Sequence, residues 1–147
     1  MGDVPSAILF ACTLNSVRSP MAAAMMRHLH GHRIHVDSVG VRTRDVDGFA
    51  VTVMGEIGID ISNHEPKTFD DLEQTWFDLV VSLSPEAQHK AVEMTRVMAC
   101  EVEFWHTLDP SVVEGSRDDR LIVYRKVRDG LMDRIKARFP LVRAVDV

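Results

Sequence analysis

Cys12 and Arg18, with five residues between them, are the side chains of this sequence best suited to chemistry on an anion. Cys12 follows the apolar run 7–11, and Arg18 is followed by Ser19 and Pro20, which are typical of a helix start. A short loop at a helix N-terminus directs backbone N–H groups into one concavity, and the helix dipole adds positive potential there. We therefore predict that this loop binds a tetrahedral oxyanion.

The side chains of the loop extend that prediction from binding to catalysis. The planar guanidinium of Arg18 matches two oxygens of an oxyanion, and the positive field favours the thiolate form of Cys12, which is a nucleophile for phosphorus. The loop contains no glycine, so Asn15 is predicted to take the left-handed conformation that a tight turn requires. The predicted phosphate-binding residues are Thr13, Leu14, Asn15, Ser16, Val17, Arg18 and Ser19.

The same pattern also has a purely structural interpretation. A cysteine that follows a strand is commonly a buried, inert residue, and a cysteine followed at some distance by an arginine is a loose pattern by itself. The serine and proline directly after Arg18, at a strand-to-helix junction, make the pattern much more specific. We therefore favour a catalytic role for Cys12.

The length and composition limit the classes of protein to which the chain can belong. Its 147 residues, of which 46% are hydrophobic and 27% charged, predict a single domain over residues 1–147. The formal net charge of −5 argues against nucleic acid or a membrane surface as a partner. No apolar run approaches the ~20 residues that span a bilayer, and the N-terminus lacks the pattern of a secretory signal. Two cysteines are too few for a disulfide framework, so we expect a cytoplasmic protein. We expect a monomer or a weak dimer.

Short apolar runs alternate with longer amphipathic ones, which is typical of an α/β domain with a parallel sheet. The predicted strands are 7–11, 34–38, 77–83 and a segment within 97–104, and the predicted helices are 19–29, 48–57, 69–73, 84–94 and 116–139. The apolar stripe of the last helix is Leu121, Tyr124, Val127, Leu131 and Ile135. We predict a three-layer α/β/α fold around a four-stranded parallel sheet. Ligands of such sheets bind beyond the carboxyl ends of the strands, where the loop after the first strand begins.

The sequence resembles a known family over most of its length. The run Cys12-Thr13-Leu14-Asn15-Ser16-Val17-Arg18-Ser19-Pro20-Met21-Ala22 is similar to the N-terminal signature of the low-molecular-weight protein tyrosine phosphatases. Thioredoxin-coupled arsenate reductases share that fold. The segments 38–41, 58–64, 78–81 and 109–115 resemble further parts of the family in the same order, including its Gly-x-Asp-x-Ser-x-His stretch and its Asp-Pro pair.

The resemblance implies a role for each matching residue and a fold of the phosphotyrosine phosphatase I type. Cys12 would be the nucleophile, and Arg18 would bind the phosphate. Ser19 would stabilise the thiolate as it leaves, and Asn15 with Ser38 would brace the loop. Asp109 would protonate the leaving group, a role that a carboxyl group shielded from water can perform. The resemblance implies no cofactor and no metal, and a phosphorylated protein, a small phosphomonoester or arsenate as the substrate.

Two departures from the family leave the substrate open. Members that act on phosphotyrosine usually have tyrosines just after the Asp-Pro pair, but here the segment 111–113 reads Ser-Val-Val. They also tend to have an aromatic residue after the Ser-x-Gly segment, where this chain has Arg42, Thr43 and Arg44. The arginines favour an anionic substrate at the mouth of a pocket, or else they form a solvated loop.

We keep two alternatives to phosphomonoester hydrolysis. Thioredoxin-coupled arsenate reductases need two further cysteines after the central strand, and the segment 82–89 contains none, so an arsenate reductase would have to use an external thiol. Cys100 is expected to be a core residue. The other alternative is a non-catalytic module that binds phosphate or phosphopeptides. Such a module gains nothing from Cys12 and Asp109, which argues against it.

Four histidines form a local cluster around the predicted end of the first helix: His28, His30, His32 and His35. A spacing of four residues can bring metal ligands to one helix face, but Gly31 should end the helix among them. We therefore predict no metal site there, and the role of the cluster stays open.

Overall fold

The fold is built on the predicted four-stranded parallel sheet. The structure is a computed structural model and describes residues 4–73 and 76–141. The strands are β1 (Ala7–Cys12), β2 (His35–Gly40), β3 (Leu79–Ser82) and β4 (Glu101–Phe104). They are parallel and lie in the order β2-β1-β3-β4, so β1 is central. The register pairs Cys12 with Gly40, and Ser82 with Phe104, so the carboxyl ends of all four strands meet at one edge.

Four helices connect or follow the strands: α1 (Arg18–His30), α2 (Gly48–Gly55), α3 (Pro85–Met94) and α4 (Arg117–Arg138). Single turns of 3₁₀ helix lie at Phe69–Asp71 and Pro110–Val112. The starts of α3 and α4 agree with the prediction, because the hydroxyl oxygens of Ser84 and Ser116 accept hydrogen bonds from backbone N–H groups of the first turn.

The predicted three-layer α/β/α architecture is confirmed by the side chains of β1. Ile8 and Phe10 pack on one face of the sheet with α1, α2 and α4, whereas Leu9 and Ala11 pack on the other face with α3. All six residues of β1 are buried, which explains why its sequence is a continuous apolar run rather than an alternating one. The predicted stripe of α4 is buried throughout.

The start of α1 differs from the prediction. Ser19 was expected to cap α1, but the helix already begins at Arg18, and Val17 occupies the cap position without a side-chain bond. The hydroxyl of Ser19 is instead engaged by Asn15 within the loop. The helix α2 begins at Gly48 as predicted, and Asp47 caps it by accepting from the N–H groups of Phe49 and Ala50.

Within residues 4–73 and 76–141, no helix is long and apolar enough to cross a bilayer. The longest, α4, has 22 residues and is rich in charged side chains.

Candidate active site

The loop between β1 and α1 turns its carbonyl groups outward. The carbonyl oxygens of Cys12, Thr13 and Leu14 accept hydrogen bonds from the N–H groups of residues 41, 42 and 44, at 3.1, 2.8 and 3.1 Å. The carbonyl of Ser16 accepts from the N–H of Asp47 at 3.1 Å. In a planar trans peptide the C=O and the following N–H point in opposite directions. The N–H groups that follow these carbonyls therefore point into the concave side of the loop, as an oxyanion cradle requires.

Asn15 holds the loop from behind. Its φ of 52° confirms the predicted left-handed conformation. Its Nδ2 donates to the hydroxyl oxygens of Ser19 and Ser38, at 2.9 and 3.0 Å. Its Oδ1 accepts from the backbone N–H of Lys67 and from His64 Nε2, both at 3.0 Å. The buried amide of Asn15 is thus saturated with hydrogen bonds, which fixes the turn without a glycine.

His64 is a neutral donor in this arrangement. Its Nε2 lies 3.1 Å from the carbonyl oxygen of Asn15 and 3.0 Å from Oδ1 of the same residue, so the nitrogen must carry the proton for both contacts. Burial, assisted by the nearby cations of Arg27 and Lys67, lowers the pKa of His64 below its ordinary value. The uncharged ring therefore supports the loop without adding charge to it.

Gly40, at the end of β2, allows the loop to approach the sheet. A Cβ atom at this position would lie 2.4 Å from the carbonyl oxygen of Arg42 and 2.7 Å from the backbone nitrogen of Asn15. Both are backbone atoms, which cannot rotate away. The absence of a side chain at Gly40 is therefore a geometric requirement of the loop.

Cys12 forms the floor of a recess enclosed by this loop. The residue is 2% exposed, and its Sγ lies 2.9 Å from the hydroxyl oxygen of Ser19. The recess is narrow and opens to solvent. It is lined by Cys12, Leu14, Ser16, Val17, Arg18, Arg44, Asp109 and Ser111. The sulfur is therefore buried against its neighbours and borders this recess.

Arg18 links the loop to the segment that follows β4. Its Nη1 donates to the carbonyl oxygen of Thr107 at 3.0 Å, and Nη2 donates to Thr13 Oγ1 at 3.4 Å. The side chain is only 9% exposed, and Nη2 lies 3.9 Å from Asp109 Oδ2. These contacts hold the guanidinium at the recess before any ligand is bound, which reduces the conformational entropy that binding would cost.

Asp109 has one oxygen held and the other near Arg18. Oδ1 accepts from the backbone N–H and the hydroxyl of Ser111, at 2.9 and 2.7 Å, and thereby caps the 3₁₀ turn Pro110–Val112. Oδ2 is the oxygen nearest to Arg18. A carboxyl oxygen with a fixed orientation thus lines the same recess as the Cys12 sulfur.

A family model described as low molecular weight phosphotyrosine protein phosphatase matches residues 7–144. The chain belongs to this family. The match covers every strand and helix described above, so the resemblance predicted from the sequence is confirmed.

The relatives of this chain are named either arsenate reductase or protein tyrosine phosphatase. The arsenate reductase of Halalkalibacterium halodurans is 37% identical over 129 residues, which cover 88% of this chain and 91% of that protein. The structure of the low molecular weight protein tyrosine phosphatase from T. tengcongensis has a TM-score of 0.72 and 26% identity, over 90% of this chain and 99% of that one. A structure of an arsenate reductase in the phosphate binding state has a TM-score of 0.67 and 26% identity, over 90% of this chain and 95% of that one.

The structure brings the predicted site residues together. Cys12, Arg18 and Asp109 line one recess, and the residues from Thr13 to Ser19 form the loop around it, with Ser38 behind Asn15. Sequence reasoning missed the contact of Thr107 with Arg18 and that of Lys67 with Asn15. Both use backbone atoms, and any residue type would provide them. His64 does lie in a segment that resembles the family, but the sequence carries no sign of its bond to Asn15.

The histidine cluster does not form a metal site in the part of the chain that the structure describes. His30 is buried and already bonded, because Nδ1 accepts from Arg33 at 3.1 Å and Nε2 donates to the carbonyl oxygen of Phe139 at 2.8 Å. Both ring nitrogens are therefore occupied. His30 connects the end of α1 to the end of α4.

Cys100 is partly buried and packs against the cluster on the α3 face of the sheet. Burial raises the pKa of its thiol, which disfavours the reactive thiolate. Cys100 was predicted to be a core residue, but the structure places it at the margin of the core, where it is only partly buried.

Proposed function

We propose that the protein hydrolyses phosphomonoesters through a phosphocysteine intermediate on Cys12. The observation that carries this proposal is the recess itself, where the Cys12 sulfur, the Arg18 guanidinium and the Asp109 carboxyl group border one cavity lined by inward-pointing N–H groups. Membership of the phosphatase family supports the same reaction. A pure binding site would need the cation and the N–H groups but neither the sulfur nor the carboxyl group.

In the first step, the Cys12 thiolate attacks phosphorus, the S–P bond forms and the ester P–O bond breaks. The loop N–H groups and Arg18 stabilise the negative charge on the equatorial oxygens. The leaving oxygen takes the proton of Asp109, and Oδ2 is the oxygen in position to carry it because Oδ1 is held by Ser111.

In the second step, a water molecule attacks the phosphorus of phosphocysteine. The Asp109 carboxylate takes a proton from that water, the P–O bond forms and the S–P bond breaks. The electron pair returns to the Cys12 sulfur, where the hydroxyl of Ser19, 2.9 Å away, stabilises the thiolate. Inorganic phosphate leaves, and both side chains recover their starting protonation states.

A reactive thiolate needs a reducing compartment, so we also propose that the protein works in the cytoplasm. Its substrate would be a phosphorylated protein or a small phosphomonoester. No residue assigned to the reaction requires a metal or an organic cofactor.

Arsenate reduction is a second candidate, which the relatives named arsenate reductase favour. The Cys12 thiolate would attack arsenate in the same recess, so that the S–As bond forms, one As–O bond breaks and the protonated oxygen leaves as water. An external thiol would attack that sulfur, which releases arsenite and leaves a mixed disulfide. A second external thiol would then reduce the mixed disulfide, so that two thiols supply the two electrons taken up by arsenic.

The second cysteine of the chain is too far from Cys12 to serve as an internal reductant. The register aligns Ala11 with Ser82 and Ser82 with Phe104, so Cys100 lies at the opposite end of the sheet, two strands away. Strand geometry gives a separation of roughly 19 Å between the two Cα atoms. A disulfide requires less than about 7 Å, so a reductase of this sequence would depend on external thiols.

Two assays on the purified protein test the proposed function. We expect turnover of an aryl phosphate, abolished in Cys12→Ser and unchanged in Cys100→Ser. Arsenate-dependent consumption of glutathione without aryl phosphate turnover would overturn the hydrolase and support the reductase. If wild type and Cys12→Ser both bind a phosphopeptide with micromolar affinity, and neither aryl phosphate nor arsenate is turned over, both proposed enzymatic activities would be overturned. The binding module would then be supported.

A further inference from the structure

Two arginines that follow β2 have different environments. Arg42 is paired with Glu86, with two hydrogen bonds of 3.0 and 3.3 Å between their side chains. Arg44 lines the recess above Cys12, and its backbone N–H donates to the carbonyl oxygen of Leu14 at 3.1 Å. The main chain of Arg44 is therefore fixed to the rim of the recess.

The Arg44 side chain is exposed and has no acidic partner within salt-bridge distance among residues 4–73 and 76–141. Arg18, the other cation that lines the recess, is buried and already bonded to Thr107. Arg44 is thus the lining cation that remains available for a group outside the phosphate cradle.

None of the described residues that line the recess is aromatic. Besides the two arginines and Cys12, the recess is lined by Leu14, Ser16, Val17, Asp109 and Ser111. Stacking against a ring therefore cannot select the substrate at these positions. Charge and hydrogen bonding are the interactions that the lining residues provide.

We propose that Arg44 determines specificity by binding a second anionic group, carried by the leaving part of the phosphomonoester. This inference rests on the proposed hydrolase and names its substrate class: phosphomonoesters with a carboxylate or another anion near the phosphate. Such a group lies next to the phosphate, whose negative charge is already matched by Arg18 and the loop N–H groups, so its binding gains from a further cation beside it. Arg44 supplies that cation, and its planar guanidinium can bind a carboxylate through two N–H groups.

The test compares two esters of the same shape, 3-carboxyphenyl phosphate and its uncharged analogue 3-carbamoylphenyl phosphate. At low salt, we expect the wild-type protein to prefer the carboxylate by about two- to fivefold in kcat/KM, the range typical of an exposed charge pair. In Arg44→Gln, the ratio should fall to about 1. Arg42→Gln is the matched control, because it removes the same charge two residues away and outside the recess, and it should keep the wild-type ratio.

Other outcomes overturn the proposal. A wild-type ratio near 1, or a ratio that survives in Arg44→Gln, would exclude a specific contact. If the ratio falls equally in Arg42→Gln and Arg44→Gln, the preference comes from general electrostatic attraction instead. If neither ester is hydrolysed, the proposed function fails, but calorimetric binding of both esters to Cys12→Ser still decides the role of Arg44. Tighter binding of the carboxylate ester supports that role if Arg44→Gln abolishes the preference. Equal binding of the two esters overturns it.

Discussion

Arg18 Nη1 donates a hydrogen bond of 3.0 Å to the carbonyl oxygen of Thr107, across 89 positions of the sequence. The bond joins the loop after β1 to the segment after β4, and Asp109 follows only two residues later. The residue that would bind the phosphate and the residue that would protonate the leaving group are therefore positioned by one contact. Since both loops follow the carboxyl ends of parallel strands, the sheet brings them to the same edge.

We expect Arg18→Lys to lower kcat/KM for an aryl phosphate by about 10²–10³-fold, because an ammonium is a single point charge that cannot bind two phosphate oxygens through a planar fork. Arg27→Lys is the control: Arg27 lies on the same helix and donates to the carbonyl oxygen of Val36 at 3.0 Å, outside the recess. Steady-state kinetics and circular dichroism of both variants check the prediction. An Arg18→Lys enzyme with nearly wild-type kcat/KM would remove Arg18 from the phosphate site.

We expect Asp109→Asn to lower kcat for phenyl phosphate by about 10²–10⁴-fold, the range for loss of a general acid. The amide oxygen introduced by this substitution can still accept from Ser111, so the turn should persist. With 4-nitrophenyl phosphate the loss should be smaller, since that leaving group departs more readily without a proton. Competitive inhibition by inorganic phosphate should persist. Equal losses for both substrates would argue against Asp109 as the acid.

We expect Gly40→Ala to lower the free energy of unfolding by about 1–3 kcal/mol, as overpacking does, and to weaken phosphate binding. The cause is the added Cβ, which would lie 2.7 Å from the backbone nitrogen of Asn15. Gly130→Ala, in the middle of α4, is the control, because nothing lies within 4 Å of a Cβ there. It should stabilise the protein by about 0.5–1 kcal/mol through helix propensity. Urea denaturation measures both changes, and a neutral Gly40→Ala would show that the loop can move away from β2.

Local patterns in the sequence account for much of the fold. The buried run of β1, the serine caps of α3 and α4 and the left-handed Asn15 were predictable because each depends on residue types within a few positions. The start of α1 was not, since the Ser19 hydroxyl that resembles a helix cap is used by Asn15, four residues earlier, instead.

The remaining contacts of the site depend on chain folding over long distances. His64 contacts Asn15 across 49 positions, and the carbonyl oxygen of Thr107 is a backbone group that carries no sequence signal. The close approach of Gly40 to the loop likewise exists only once β1 and β2 are paired. Residue type and spacing can indicate the candidate nucleophile, but they do not show which distant backbone atoms hold the residues around it.

Glu56 makes an acid-sensitive connection between α2 and α4. Its carboxylate accepts from Arg125 at 2.8 and 3.0 Å and from Arg128 at 2.9 Å. Hydrogen bonding to Arg125, together with the Arg128 contact, lowers the pKa of Glu56 to about 2. The unfolded chain has the ordinary glutamate pKa of about 4.3, so the folded state binds fewer protons between these values. The stabilisation is therefore complete above pH ~4.3 and is lost as the pH falls towards 2.

We accordingly expect Glu56→Gln to unfold at a lower temperature than wild type at pH 6, with the gap in Tm closing as the pH falls to 2. Glu114→Gln is the control, because Glu114 is exposed and makes no ion pair within the described part of the chain. Its Tm should follow the wild-type value at every pH.

Since Asp47 at the start of α2 also donates its N–H to the Ser16 carbonyl, loosening of α2 should reach the phosphate loop. We therefore expect Glu56→Gln to bind phosphate more weakly than wild type at pH 6 and elevated temperature. Equal affinities would show that the loop is held independently of α2.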